Sequence, residues 1–210
     1  MIAPVRCSPV SRMHADLGAS FEREAGWDLP AAYGDEAAER ALLSGGVAVG
    51  VADVTARAKI DVRGAIEGLL GAAGDALVAP VAGDWALVLG EPGAEEILLP
   101  KLESAAGPSS MVTDATHLYA GFALAGPMLP ELLARVTGWD PATLAPGSAT
   151  GAPIAEVPSV VIRRELTFPM IEAYVATEFA RYVWETVLGV ARRLEGGPVG
   201  WRALRAEGWR

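Results

Sequence analysis

Residues 21–34 read FEREAGWDLPAAYG. Gly26-Trp27 lies between acidic residues, and a Leu-Pro pair, two alanines and Tyr33-Gly34 follow. Taken physically, the stretch is a connector that lays Trp27 on a core, with Pro30 and Gly34 shaping a turn. Trp27 is therefore a core aromatic in the first instance, and a wall of a ligand cavity in the second. Which of the two applies depends on what the rest of the chain builds beneath it.

Downstream, GDEAAERALLSGG has the signature of a short helix, with Asp35 at its start and Gly45-Gly46 at its end. VAVGV then predicts a strand. KIDVR predicts another, with Ile60 and Val62 on one face and Lys59, Asp61 and Arg63 on the other. A helix AIEGLLG follows Gly64, strands are expected at 76–78 and in WALVLG, and a helix around AEEILL should stop near Pro100. The second half repeats the rhythm: LYAGFALAG is a strand and PMLPELLARVTG a helix with Pro127 in its first turn. A strand, a glycine and an apolar helix recur in KIDVRGAIEGLLG and GFALAGPMLPELLARVTG, which points to two related α+β units. GWDPATLAPGSATGAP reads as a linking loop, and SVVIRRE as a strand. IEAYV reads as a strand leading into a long helix from Thr177.

The chain has 210 residues and a net charge of −9, which disfavours binding to nucleic-acid phosphates. Residues 192–210 nevertheless carry five arginines, as a solvated basic tail or as an anion contact. No apolar run is long enough to span a membrane, and MIAPVRCSPV lacks the apolar stretch of a signal peptide. A single cysteine, Cys7, fits a reducing cytoplasm. With only His14 and His117 and no metal-ligand spacing, no metal site is expected. Walker, nucleophile-elbow and dinucleotide motifs are absent. Asp53 beside Arg57, and Glu172 near Arg164, are acid–base candidates whose commoner role is an ion pair.

SPVSRMHADLGASFEREAGWDLPAAYG resembles the opening of the glycine cleavage T-protein family, the tetrahydrofolate-dependent aminomethyltransferases. The matching residues are Ser8-Pro9, Leu17-Gly18-Ala19, Ala25-Gly26-Trp27, Pro30 and Tyr33-Gly34. Asp53, Val54 and Gly64 fall in register further on, as does Gly126-Pro127 at a turn, and RYVWETVLGVARRLEGGPVGWRALRAEG is similar to a late segment of the family. The resemblance implies two ferredoxin-like units packed around a central cavity, forming one domain over 1–210. The units run approximately over 1–137 and 138–210, with interleaved strands. It implies tetrahydrofolate as the cofactor, with Glu172 as candidate acceptor for the pterin, Trp27, Tyr33 and Tyr119 lining or stacking, and Arg205 meeting the glutamate tail.

The chain also departs from the pattern. LLGAAGDALVAPVAGDWALVLG passes directly to the next strand where the family has a hairpin bearing its catalytic aspartate, so the catalytic residue is unknown. Gly90 stands where the family has an asparagine, and the C-terminal barrel has no counterpart before Arg210. Three functions follow: a compact one-carbon transferase, a non-catalytic partner subunit like the small gamma subunit of heterotetrameric sarcosine oxidase, or a cavity turned to an unrelated small molecule. A homodimer or partner subunit is expected, with residues 201–209 in the contact. Strand alternation sends Glu172 either into the cavity or into water, according to whether Ile171 faces the core behind the strand.

Overall fold

The computed structural model describes residues 4–69, 71–164 and 166–210. Leu70 of the expected AIEGLLG helix, Glu165 of SVVIRRE and residues 1–3 of the opening lie outside them. The fold is mixed α+β. A six-stranded sheet runs in the order Ala149–Ile154, Val157–Arg163, Met170–Ala176, Tyr119–Ala125, Gly50–Asp53, Gly197–Pro198, and every pair is antiparallel except the last. A four-stranded antiparallel sheet contains Leu77–Ala82, Trp85–Gly90, Ala58–Arg63 and Met111–Asp114. A three-stranded sheet contains Arg6–Cys7, Trp27–Ala32 and Ser20–Glu24. The four-stranded sheet is one continuous insertion between Gly50–Asp53 and Tyr119–Ala125. The larger sheet draws strands from both sides of the 138–156 stretch.

Alternation along Met170–Ala176 sorts the core into two sides. Ile171, Ala173 and Val175 join Val161, Phe122 and Leu124 under the helices Leu129–Val136 and Ala180–Arg192. Met170, Glu172 and Tyr174 face the other way. On that face, Val160, Ile162 and Tyr174 pack on Ala79, Leu87 and Leu89 of the four-stranded sheet. Beside them Ala123, Ala125 and Met170 meet Trp27, Leu29, Trp201 and Trp209 of the three-stranded sheet and C-terminal segment. Glu172 sits where these two packings adjoin. The far side of the four-stranded sheet is covered by the helix Glu95–Ala105 through Leu98 and Leu102.

Several sequence expectations need correction. FEREAGWDLPAAYG is a hairpin, Ser20–Glu24 and Trp27–Ala32, closed by Ala25 and Gly26 at φ 46° and 82°, the mirror-image turn that matches strand twist. Pro30 is tolerated in its middle strand because Arg6–Cys7 pairs only with Trp27 and Asp28 and ends before the proline. Glu95–Ala105 runs through Pro100; the carbonyl left without a helical donor belongs to exposed Glu96, and buried Leu98 and Leu102 hold both sides of the proline. Among the described residues of AIEGLLG there is only a 3₁₀ turn, Glu67–Leu69, and the linking loop contains the strand Ala149–Ile154. The VAVGV strand starts later, at Gly50. The long helix begins at Ala180 after the 3₁₀ turn Thr177–Phe179, because the Thr177 hydroxyl donates to the His117 carbonyl instead of capping. Lys59, expected on a polar face, is fully buried; Trp201 and Trp209, expected in a contact with a second chain, are buried within this one.

Candidate functional site

Glu172 is an acid in the centre of an apolar strand, with Ile162 and Ala123 as its cross-strand neighbours and no solvent exposure. A bare carboxylate there would carry a large desolvation penalty, so the fold must supply donors. Arg57 Nη1 donates to both of its oxygens, at 3.2 and 3.1 Å. Arg164 Nη1 and the Trp209 indole donate to Oε1, the latter at 2.7 Å, and the Tyr174 hydroxyl donates to Oε2. A carboxylate offers about four lone-pair sites, and these four groups occupy them. Burial alone would raise the Glu172 carboxyl, but Arg57 and Arg164, with the bonds from Tyr174 and Trp209, outweigh it and hold the group below its ordinary value. Burial, and then the Glu172 charge, push the Tyr174 phenol far up, so it remains a donor.

Local structure places each donor. Arg57 ends the tight turn after Gly50–Asp53, with its N–H on the Val54 carbonyl, and its guanidinium lies 5.1 Å from the centre of the Trp209 ring. Tyr174 is paired with Gly121; a Cβ there would come within 2.6 Å of the tyrosine ring, so the glycine makes room for it to lie across the sheet. The helix Trp201–Ala206 ends at Gly208, whose φ of 87° turns the chain inward. Trp209 then packs edge-on to Trp201 at 5.0 Å, and the Arg210 carbonyl accepts from Arg164 at 2.8 Å.

Two clefts flank this cluster. One, of about 740 Å³, is bounded by Ala73–Val78, Leu89–Gly90 and Leu98, with Arg57, Arg164 and Arg210 on its charged side. It adjoins the stretch 71–76 that precedes the strand Leu77–Ala82. The other, of about 890 Å³, lies between the helix Leu129–Val136, residues 139–146 and the turn 166–169, and Arg164 borders it too. Glu172 lines neither; its arginines stand between it and solvent.

A second buried network joins Tyr33, His14 and Asp53. The Asp53 carboxyl is held below its ordinary value because the interactions with His14, Ser8 and Thr55 outweigh burial. An ionised carboxylate only accepts, so His14 Nε2 donates to Asp53 at 2.7 Å, and Nδ1 is hydrogen-bonded to the Tyr33 hydroxyl at 2.8 Å. His14 is fully enclosed, with Trp184 edge-on at 4.7 Å, and it lines neither of the two clefts. The network therefore ties the helix Ser11–Asp16 and the end of the hairpin to the large sheet. Nearby, the Lys59 ammonium donates to the Thr55 and Arg57 carbonyls at 2.6 and 2.7 Å, and burial pulls it down to about 7.

The five residues expected at a folate site do not line one cavity. Glu172 is at the centre of the molecule. Trp27 is buried and stacks on His117 at 5.2 Å, Tyr33 belongs to the histidine network, and Tyr119 is half-buried at the start of its strand. Arg205 is held by Glu24 and Glu91 and lies over Trp201 at 4.8 Å. Of the acid–base pairs weighed from sequence, Glu172 does meet Arg164, whereas Asp53 takes His14 and Arg57 goes to Glu172. Sequence reasoning missed Arg57, Tyr174 and Trp209 as partners of Glu172. The signal for Tyr174 was its place two residues along the same strand. Trp209, 37 residues away, had none.

No protein-family model matches the chain. An aminomethyltransferase of Streptomyces coelicolor is 26% identical over 219 residues, covering 88% of this chain and 57% of the relative. The structure of glycine cleavage system aminomethyltransferase T from Bartonella henselae superposes with a TM-score of 0.80 at 21% identity, over 97% of this chain and 62% of that one. A chain of heterotetrameric sarcosine oxidase from Corynebacterium sp. U-96, solved with pyrrole 2-carboxylate, superposes with a TM-score of 0.69 at 16% identity, over 90% of this chain and 96% of that one. The chain thus has the T-protein fold, and it spans about three-fifths of the length of the aminomethyltransferases it matches.

Proposed function

We propose that this chain is a non-catalytic T-protein-fold module that serves as one subunit of a larger assembly. The observation that carries the reading is the saturation of Glu172. Its acceptor sites are filled by Arg57, Arg164, Tyr174 and Trp209, so a pterin has no free carboxylate to meet unless the 208–210 segment leaves. The shortened stretch after residue 68 also supplies no aspartate aligned with the family's catalytic one. The sarcosine oxidase chain, matched over nearly all of its length, is a protein of this fold and size inside a heterotetramer. Apolar surface suited to such a contact is present: Leu118, Phe179 and Tyr182 are all exposed, with Thr177 N–H bonded to the Leu118 carbonyl and Tyr182 one helical turn beyond Phe179.

A second reading keeps tetrahydrofolate, with Glu172 as pterin acceptor and one-carbon transfer as the activity. The aminomethyltransferase-like sequence over most of the chain favours it. Calorimetric titration with tetrahydrofolate separates the two. The subunit reading expects no binding by the wild type up to about 1 mM. A micromolar Kd that Glu172→Gln weakens roughly a hundredfold overturns it and establishes the folate site.

A further inference from the structure

We propose that the cleft between the helix Leu129–Val136, residues 139–146 and the turn 166–169 is a binding site for a small amphipathic carboxylate, with an apolar body and one acid group. Its walls are apolar: Leu129, Leu133, Leu144, Phe168 and Ile171 form them, with Trp139 half-buried at the side. At about 890 Å³ it falls in the range of small-molecule sites, and mostly apolar walls with few polar groups are their usual character.

Donors dominate the polar groups. Arg163 projects from the end of Val157–Arg163 and uses Nη1 to hold the Leu144 carbonyl at 2.7 Å, which fixes the 139–146 wall. Its Nε and Nη2 have no partner among the described residues, nor does the Trp139 indole N–H. Arg164 brings further positive charge, with Nη1 donating to Glu172 and Nη2 to the Arg210 carbonyl. Against these stand the Thr167 hydroxyl and Asp140, exposed at the rim, whose Oδ1 already accepts from Ala142 N–H. An apolar cleft with a guanidinium edge to spare suits an apolar acceptor. A carboxylate matches that edge better than a hydroxyl or amide, because two parallel charge-assisted bonds form at once. The site shares Arg164 with the Glu172 cluster but makes no use of Glu172, and it does not depend on the subunit reading.

Octanoate and 1-octanol are the probes, titrated into the whole chain by calorimetry. Octanoate is expected to bind with a Kd on the order of 100 µM, and octanol at least tenfold more weakly. Arg163→Met keeps the apolar stem and removes the donors, including the one that holds the Leu144 carbonyl; it should weaken octanoate at least roughly tenfold more than it weakens octanol. Ala134→Trp, at an exposed position on the cleft wall, should abolish binding of both. Absence of octanoate binding up to about 5 mM, equal affinity for acid and alcohol, or binding that survives Ala134→Trp each overturns the proposal. The acid–alcohol comparison needs no variant, so the question is decided even if Arg163→Met does not fold.

Discussion

Replacing Trp209 by alanine tests whether the C-terminal segment is docked in the way the Glu172 cluster requires. The indole is 1% exposed, and truncating a buried tryptophan costs about 3–5 kcal/mol. Its N–H bond to Glu172 and its place under Arg57 add to this. The space that the indole leaves admits water to the vacated carboxylate lone pair, so the bond contributes only about 1 kcal/mol net, with a similar amount from the cation–π contact. Water entry also places the cavity cost at the lower end of its range. The total is about 5 kcal/mol. With a urea m-value near 2 kcal/mol/M for a chain of this size, the midpoint should fall by about 2.5 M. Trp209→Phe keeps the packing and loses only the N–H, so its midpoint should fall by about 0.5 M. Far-UV circular dichroism is the suitable probe, since it does not depend on the tryptophan removed. A shift below about 0.5 M for the alanine variant, or equal shifts for the two, would refute the docking.

Glu172→Gln leaves Arg57 and Arg164 buried against a neutral amide and should cost about 3–5 kcal/mol. Because the Glu172 carboxyl sits below its ordinary 4.5, its contribution is present above that value and lost as pH falls through the lower folded value, so calorimetric scans of the variant should lack that part of the acid limb. Lys59 shows the opposite limb: burial takes it from 10.5 to about 7, so the unfolded chain binds more protons between those values and stability should climb with pH across them, by at most about 1.4 kcal/mol per unit. Lys59→Met should flatten that climb in urea midpoints measured from pH 7 to 10. Gly121→Ala should push the Tyr174 ring away from the sheet and break its bond to Glu172, costing about 1–3 kcal/mol, visible as a shifted Tyr174 ring in a structure of the variant.

The helix Glu36–Ser44 was legible because its signals are local: Asp35 accepts from the Ala37 N–H and the glycines end it as expected. Ile60 and Val62 were legible for the same reason, since alternation is written into five consecutive residues. Pro100 misled because a local rule about proline met two buried leucines that outweigh it. Alternation likewise put Lys59 on a polar face, yet a turn 54–57 folded over it and its own carbonyls satisfied the ammonium. Among the expected site residues, only Glu172 ended at the centre of the molecule, while Trp27, Tyr33, Tyr119 and Arg205 went to separate contacts.

By itself the sequence determined the helix Glu36–Ser44, the strands Ala58–Arg63, Trp85–Gly90 and Tyr119–Ala125, and the order of motifs that marks the T-protein fold. Periodicity does not record which apolar faces meet or which distant donors reach a buried acid. Arg57 and Glu172 are 115 residues apart, and Trp209 arrives from a segment that follows a separate helix. Only tertiary structure brought them together, because a buried carboxylate is stable only where packing has already placed its donors within hydrogen-bond reach. That packing also decided that the central site is filled by the chain's own tryptophan.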